Sequence, residues 1–335
     1  MKEETLRSEW KPTNPAFNPE EPMQVGGQAI IEGVMMRAKG IIATAVRRQD
    51  GSIAVKKEEF HSLTERHPWL KIPVLRGAVG LIEMMYIGIK TLNYSAGVAM
   101  DESKEGERDA EKEASPLSLA LTLVVALGLG IGIFFFLPLF IATQFFTVEQ
   151  RPLLFNLVAG GIRMALLLVY LYGISLMKDV HRLFQYHGAE HKAVFTFEQN
   201  APLEIASAMR FTRFHPRCGT SFVLLVMFVS IFLFSILDVC VLLFVDSLTL
   251  PIRLATHIPF IPIVGGISYE VLKYSAKHSM SPLGRILVAP GLWLQKITTK
   301  EPDEKQMEVS LAAIKAALRM DEKPLVLEPS SVALN

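Results

Sequence analysis

The residues best suited to chemistry are His187-Gly-Ala-Glu190-His191 and, further along the chain, His215-Pro-Arg-Cys218. Two histidines four apart on a helix project from one face, about 6 Å apart along the axis, so both imidazoles can reach one metal ion. The H-x-x-E-H order matches the inverted zinc-peptidase pattern, in which two histidines bind zinc and the glutamate activates water. His187, His191, His215 and Cys218 are therefore the candidate ligands for zinc or another divalent transition metal, and Glu190 is the candidate general base. Four protein ligands would make a closed structural site, whereas an open position would favour hydrolysis. Against both stands a plainer reading, in which the histidines lie at a bilayer surface bonded to backbone and headgroups.

The elements that must position these residues are mostly apolar. Residues 116–143 form an uncharged run, and 221–245 form another interrupted only by Asp238. A helix needs roughly 20 apolar residues to cross the hydrocarbon layer. A third span is expected over 153–177, with Arg163 near one end where it can reach the surface. Residues 254–272 form a fourth, broken by His257, Pro259, Pro262 and Gly265-Gly266, and so either a kinked span or a re-entrant segment. The fold class is thus mainly α: a polytopic helical membrane protein of about four transmembrane helices, with a small cytoplasmic N-terminal β element and interfacial helices.

Charge sets the orientation. Residues 178–217 carry Lys178, Arg182, Lys192, Arg210, Arg213 and Arg217, while the other two connections hold one basic residue each. The positive-inside rule puts this connection and both termini in the cytoplasm. Lys192, Arg213 and Arg217 can also attract an anionic headgroup, but topology alone accounts for them. With 34 Lys and Arg against 33 Asp and Glu there is no basic surplus for nucleic acid. The two cysteines, Cys218 and Cys240, cannot make a disulfide framework, and Cys240 in its apolar run reads as a small packing residue. The first twenty residues lack the apolar core of a secretory signal.

Along the chain, residues 1–22 read as a flexible leader and 23–72 as the β element. Asp50-Gly51 marks a hairpin between strands over 40–46 and 52–57, and the glycine-bounded 26–37 reads as one further strand, with Glu32 at its end able to reach the site. Residues 73–115 comprise a helix, lying in the interface or on the bundle, and a charged linker. The bundle occupies 116–272 around a cytoplasmic His/Cys-rich loop at 178–220. Residues 273–322 hold an interfacial segment anchored by Trp293, with His278 near the same face, and an amphipathic helix; 323–335 is a tail. His61, His67 and His181 have no evident partners.

Four motifs together carry a family resemblance: Gly26-Gly-Gln-Ala-Ile-Ile-Glu-Gly-Val-Met-Met-Arg37, Tyr186-His-Gly-Ala-Glu-His-Lys192, His215-Pro-Arg-Cys-Gly-Thr-Ser221 and Glu270-Val-Leu-Lys-Tyr274. The chain resembles the bacterial YqhQ-like membrane proteins over roughly residues 24–320. That resemblance implies a multi-pass membrane protein of a group without assigned function, often labelled metal-dependent. The readings to be weighed are a metal-dependent membrane hydrolase and a non-enzymatic scaffold or assembly factor whose His/Cys cluster is structural. The partners expected are the lipid bilayer and other membrane proteins, and the sequence leaves oligomeric state open.

Overall fold

A computed structural model describes residues 25–38, 40–100, 116–147, 149–277 and 281–320. The leader, the charged linker, the tail and His278 lie outside the described residues. Four antiparallel strands pair in chain order: β1 (Gly26–Ile30), β2 (Gly33–Ala38), β3 (Ile41–Arg47) and β4 (Ile53–Glu59). The β3–β4 hairpin turns at Asp50-Gly51, as its sequence predicts. The glycine-bounded segment differs from expectation, because it folds into two strands. It reverses at Ile31-Glu32, so that Ile30 opposes Gly33. Glu32 takes φ 51° there, and the Arg47 N–H donates to its carbonyl. No Asn-Gly or Asp-Gly announces this turn; Arg182 and the Tyr186 hydroxyl hold the Glu32 carboxylate in place.

Eleven helices follow among the described residues: α1 (Leu63–Arg66), α2 (Leu75–Met100), α3 (Pro116–Ile131), α4 (Leu137–Thr143), α5 (Pro152–Ser175), α6 (Lys178–Glu198), α7 (Ile205–Ala208), α8 (Gly219–Leu242), α9 (Leu250–Lys277), α10 (Pro282–Thr298) and α11 (Glu304–Ala317). Much of the expected 178–220 loop is therefore helix α6. Four helical segments are long and apolar enough to cross a membrane: Val124–Thr143, Pro152–Ser175, Gly219–Leu242 and Leu250–Ser275. At most 33% of any of these windows is buried, so most of each apolar surface faces outward. Water would not tolerate that much exposed hydrocarbon, and a lipid environment would. The broken segment is continuous helix through Pro259 and Pro262, long and apolar enough to cross a membrane.

One turn of π-helix, Gly132–Phe136, joins α3 to α4. Its cause is local. Pro138 has no N–H to give the Phe134 carbonyl, and its ring clashes with that carbonyl in an α-helix. Arg163 fills the vacancy, donating from Nε to the Phe134 oxygen at 2.8 Å. Arg163 thus does not sit near an end of its span. It lies at the middle of α5, 8% exposed, with its guanidinium 4.8 Å from the Phe135 ring centroid.

A second polar knot ties the bundle where α5 and α9 begin and α8 ends. Asp238 Oδ2 accepts from Asn156 Nδ2 at 2.6 Å and from Arg253 Nη2 at 2.7 Å, and Oδ1 pairs with His257 Nε2 at 2.9 Å. Asp238 and His257 are fully buried; Arg253 stacks over Phe155, and the His257 ring stacks on Phe234. Cys240, read as a small packing residue, is exposed on α8.

At the opposite end of the bundle, one core joins the two ends of the described chain. Val34, Met36 and Ala45 of the sheet pack with Tyr186, Ala193 and Phe197 of α6 and with Met307, Leu311 and Ile314 of α11. The C-terminal helix forms where its pattern predicts, but it is largely buried by the N-terminal sheet.

Replacing Asp238 with Asn keeps its shape and leaves Arg253 as an uncompensated buried charge. Asp238→Asn is expected to cost about 3–5 kcal/mol, read as a fall in thermal stability in detergent. Adding Arg253→Gln should restore part of the loss, so that the double variant is more stable than the single.

Candidate metal centre

Helix α6 carries the first half of the site on its side away from the sheet core. Gly188 makes the geometry possible: a Cβ there would stand 2.1 Å from the Lys300 carbonyl. Because Gly188 has none, the chain after α10 runs against α6, and the Lys300 N–H donates to the Phe184 carbonyl at 2.8 Å. That approach brings the Thr298 carbonyl to His187 Nδ1, 2.8 Å away. On the next turn, His191 Nδ1 bonds the Arg213 carbonyl. A carbonyl only accepts, so both imidazoles carry their proton on Nδ1 and turn the Nε2 lone pair the other way. Second partners of this kind fix the tautomer and aim of metal-binding histidines.

Both Nε2 atoms point toward Cys218, the N-cap residue of α8. His187 Nε2 is 3.2 Å from Cys218 Sγ, and the ligand atoms of His187, His191 and Cys218 all lie within 4.8 Å of one another. His191 Nε2 is buried and meets no oxygen or nitrogen at hydrogen-bonding geometry among the described residues; it faces the Cys218 thiol, and the Glu190 carboxylate stands 3.5 Å from it. A cavity of about 100 Å³ opens beside the group, lined by these four residues, by His215 and by the start of β1.

The expected set of three histidines and one cysteine thus divides. His187, His191 and Cys218 converge, whereas His215 lines the cavity with both ring nitrogens engaged elsewhere. Its Nδ1 accepts from the Arg217 N–H at 3.2 Å and its Nε2 is 3.3 Å from Glu198. Gln295 of α10 clamps the His215 backbone from both sides, accepting its N–H and donating to its carbonyl, each at 2.8 Å. Glu190 is buried in the cavity wall. Burial pushes its carboxyl above the usual carboxylate range, opposed by His187, His215 and the Gly27 N–H that donates to it. Burial likewise lowers His191 and His215 below the ordinary histidine value, which favours neutral imidazoles.

The basic residues nearby are engaged in holding the backbone. Lys192 Nζ donates to the Met209 carbonyl and pairs with Glu301, Arg213 donates to the Thr299 carbonyl, and Arg217 pairs with Glu198. Glu32 is occupied by Arg182, away from the cavity. His61, His67 and His181 are exposed and outside the cluster. Gln295, Thr298, Asn156 and Arg253 belong to no motif that marks them in the sequence, and Asp238 stands there only as a break in an apolar run. A lone charge inside such a run was the one available signal for that second group.

The fold and site define a class: a helical protein with four segments able to cross a membrane, carrying a His/His/Cys group where the bundle meets a small α/β layer. A family described as protein of unknown function, DUF1385, matches residues 72–320. The chain belongs to this family. It is 38% identical over 317 residues to the uncharacterized protein YqhQ of Bacillus subtilis (strain 168), covering 90% of this chain and 94% of that one. No solved structure matches.

Gly188→Val would drive the Lys300 carbonyl off α6. Overpacking of this kind costs about 1–3 kcal/mol. The expected outcome is a destabilised protein in which Cys218 reacts faster with a thiol reagent, because the Thr298 anchor of His187 is displaced; unchanged melting and unchanged thiol reactivity would contradict it.

Proposed function

We propose that this protein is a metal-dependent membrane enzyme of hydrolytic type, using zinc or another divalent transition metal at the cytoplasmic membrane surface. One observation carries the reading. Two imidazoles, each fixed through Nδ1 by a backbone carbonyl, aim Nε2 at the same buried thiol, and that of His191 has no oxygen or nitrogen partner among the described residues. An orphaned buried nitrogen is costly, and coordination is the use that suits it. His187, His191 and Cys218 form a nitrogen and sulfur donor set suited to zinc. His215, otherwise engaged, lies outside this set. Three protein ligands beside a cavity correspond to the catalytic arrangement rather than the closed structural one.

A metal held there supplies Lewis acidity, polarising an electrophile and acidifying water. The chain's own residues do the rest. Glu190 accepts and returns a proton at its carboxylate, which burial makes a stronger base. The Thr298 and Arg213 carbonyls hold both imidazoles in one tautomer, and His215, held by Gln295, walls the cavity.

The cytoplasmic assignment rests on the six basic residues between 178 and 217, all on the α6 side of the bundle. With Cys218 and Cys240 replaced, Ala206→Cys should resist an impermeant thiol reagent applied to whole cells and Ser247→Cys should react. The reverse pattern would place the site outside.

A scaffold is the second reading, favoured by the core that the sheet shares with α6 and α11. Metal analysis of purified protein separates the two. About one zinc or other divalent ion per chain is expected in the wild type and in Glu190→Gln, and far less in His187→Ala and Cys218→Ser. Metal-free wild type would end the metal reading. Full cellular function in a metal-loaded Glu190→Gln protein would favour the scaffold.

A further inference from the structure

Helix α2 is built inside out. Its three charged side chains all turn to partners on the protein: Arg76 to Glu270 of α9, Glu83 to Ser62 and the Leu63 N–H, and Lys90 to Glu58 of β4. Its buried face carries Glu83, Ile87, Thr91 and Ser95. The opposite face is apolar and bare: Ile82, Met85, Tyr86 and Ile89, at helical spacing, are 57%, 61%, 66% and 56% exposed. A helix in water shows the reverse arrangement, polar residues outward and apolar residues inward.

What meets this stripe follows from where α2 sits. Its start crosses α9, the last of the four apolar helices, through a glycine contact. A Cβ on Gly77 would be 3.0 Å from the Gly266 Cα, and one on Gly266 would be 2.2 Å from the Val74 carbonyl. Exposed Trp69 and Ile72 lie beside that crossing in sequence. From there α2 runs beneath the sheet, where Ile87 packs on Met35 and Ile42 and Gln28 donates to Thr91 Oγ1 at 2.9 Å. The stripe thus begins beside the crossing with α9, where Leu81 meets Gly265, and the sheet covers the opposite face of α2.

We propose that α2 lies in the plane of the membrane, with Ile82, Met85, Tyr86 and Ile89 among the acyl chains of the phospholipid leaflet and the sheet held above it. Partly buried in-plane helices of this kind gain from the apolar area they remove from water. The inference rests on the membrane reading of the four apolar helices and is independent of any metal. It has a consequence for the cavity. Gln28, bonded to α2, is followed back along β1 by Gly27, which lines the cavity against the Glu190 side chain. The membrane-bound helix thereby fixes the strand that carries one wall of the site, and favours substrates presented at the bilayer surface.

The test uses the full chain with Trp10, Trp69 and Trp293 changed to Phe, reconstituted in phosphatidylcholine and phosphatidylglycerol vesicles with or without brominated acyl chains. A single tryptophan is returned as Tyr86→Trp or Ile89→Trp on the stripe, or as Val55→Trp on β4. Both stripe variants should emit at short wavelength and lose about half or more of their emission to the bromolipid, while Val55→Trp is unaffected. Quenching no greater than that of Val55→Trp overturns the proposal. Short-wavelength emission without quenching, together with cross-linked dimers, also overturns it, because a second copy of the chain then covers the stripe. Metal content of the same preparations reports separately on the proposed centre.

Discussion

Everything at the α6 end of the bundle depends on one helix serving two interiors. Tyr186, Ala189, Ala193 and Phe197 of α6 build the core shared with the sheet and α11. His187, Glu190 and His191, on the same turns, build the cavity wall. Neither interior can shift without the other, so the imidazoles inherit the rigidity of a packed core. Gly188 is the constraint that permits this. Only a residue without a side chain lets the chain after α10 approach closely enough to supply the Thr298 carbonyl.

The apolar bundle shows how polar groups are accommodated among apolar helices. Pro138 opens a carbonyl and Arg163 closes it, so two residues unfavourable to a spanning helix offset one another. Asp238, Asn156, Arg253 and His257 likewise share hydrogen bonds across three helices. Removing one partner is costly because the others remain buried, and that cost ties the ends of α5, α8 and α9 in register. The basic residues near the cavity follow the same logic: they tie down backbone carbonyls, and through Arg213 one of those segments also anchors His191.

Membership of a family of unknown function means that the site must argue for itself. A His/His/Cys group, an orphaned imidazole nitrogen, a buried carboxylate and a cavity lie together where α8 begins. The in-plane character of α2 adds a second feature, a membrane-facing surface linked through β1 to that cavity. Together they favour chemistry at a bilayer surface over a purely internal staple.

The sequence by itself determined the four apolar helices, the Asp50-Gly51 hairpin and the α11 amphipathic pattern, because length, hydropathy and turn chemistry are local properties. It also showed that His187 and His191 share a helix face, since a spacing of four on one helix requires it. It could not show that 26–37 doubles back, because the turn at Glu32 is held by Arg182 and Tyr186, more than a hundred residues away. Nor could it separate His215 from Cys218, three residues apart: Glu198, the Arg217 N–H and Gln295 turn the histidine aside while the cysteine caps α8. Arg163 was misplaced for the same reason, its partner being a carbonyl freed by a proline on another helix. Periodicity reports which face a residue occupies; which atom that face meets is decided only when distant segments close into contact.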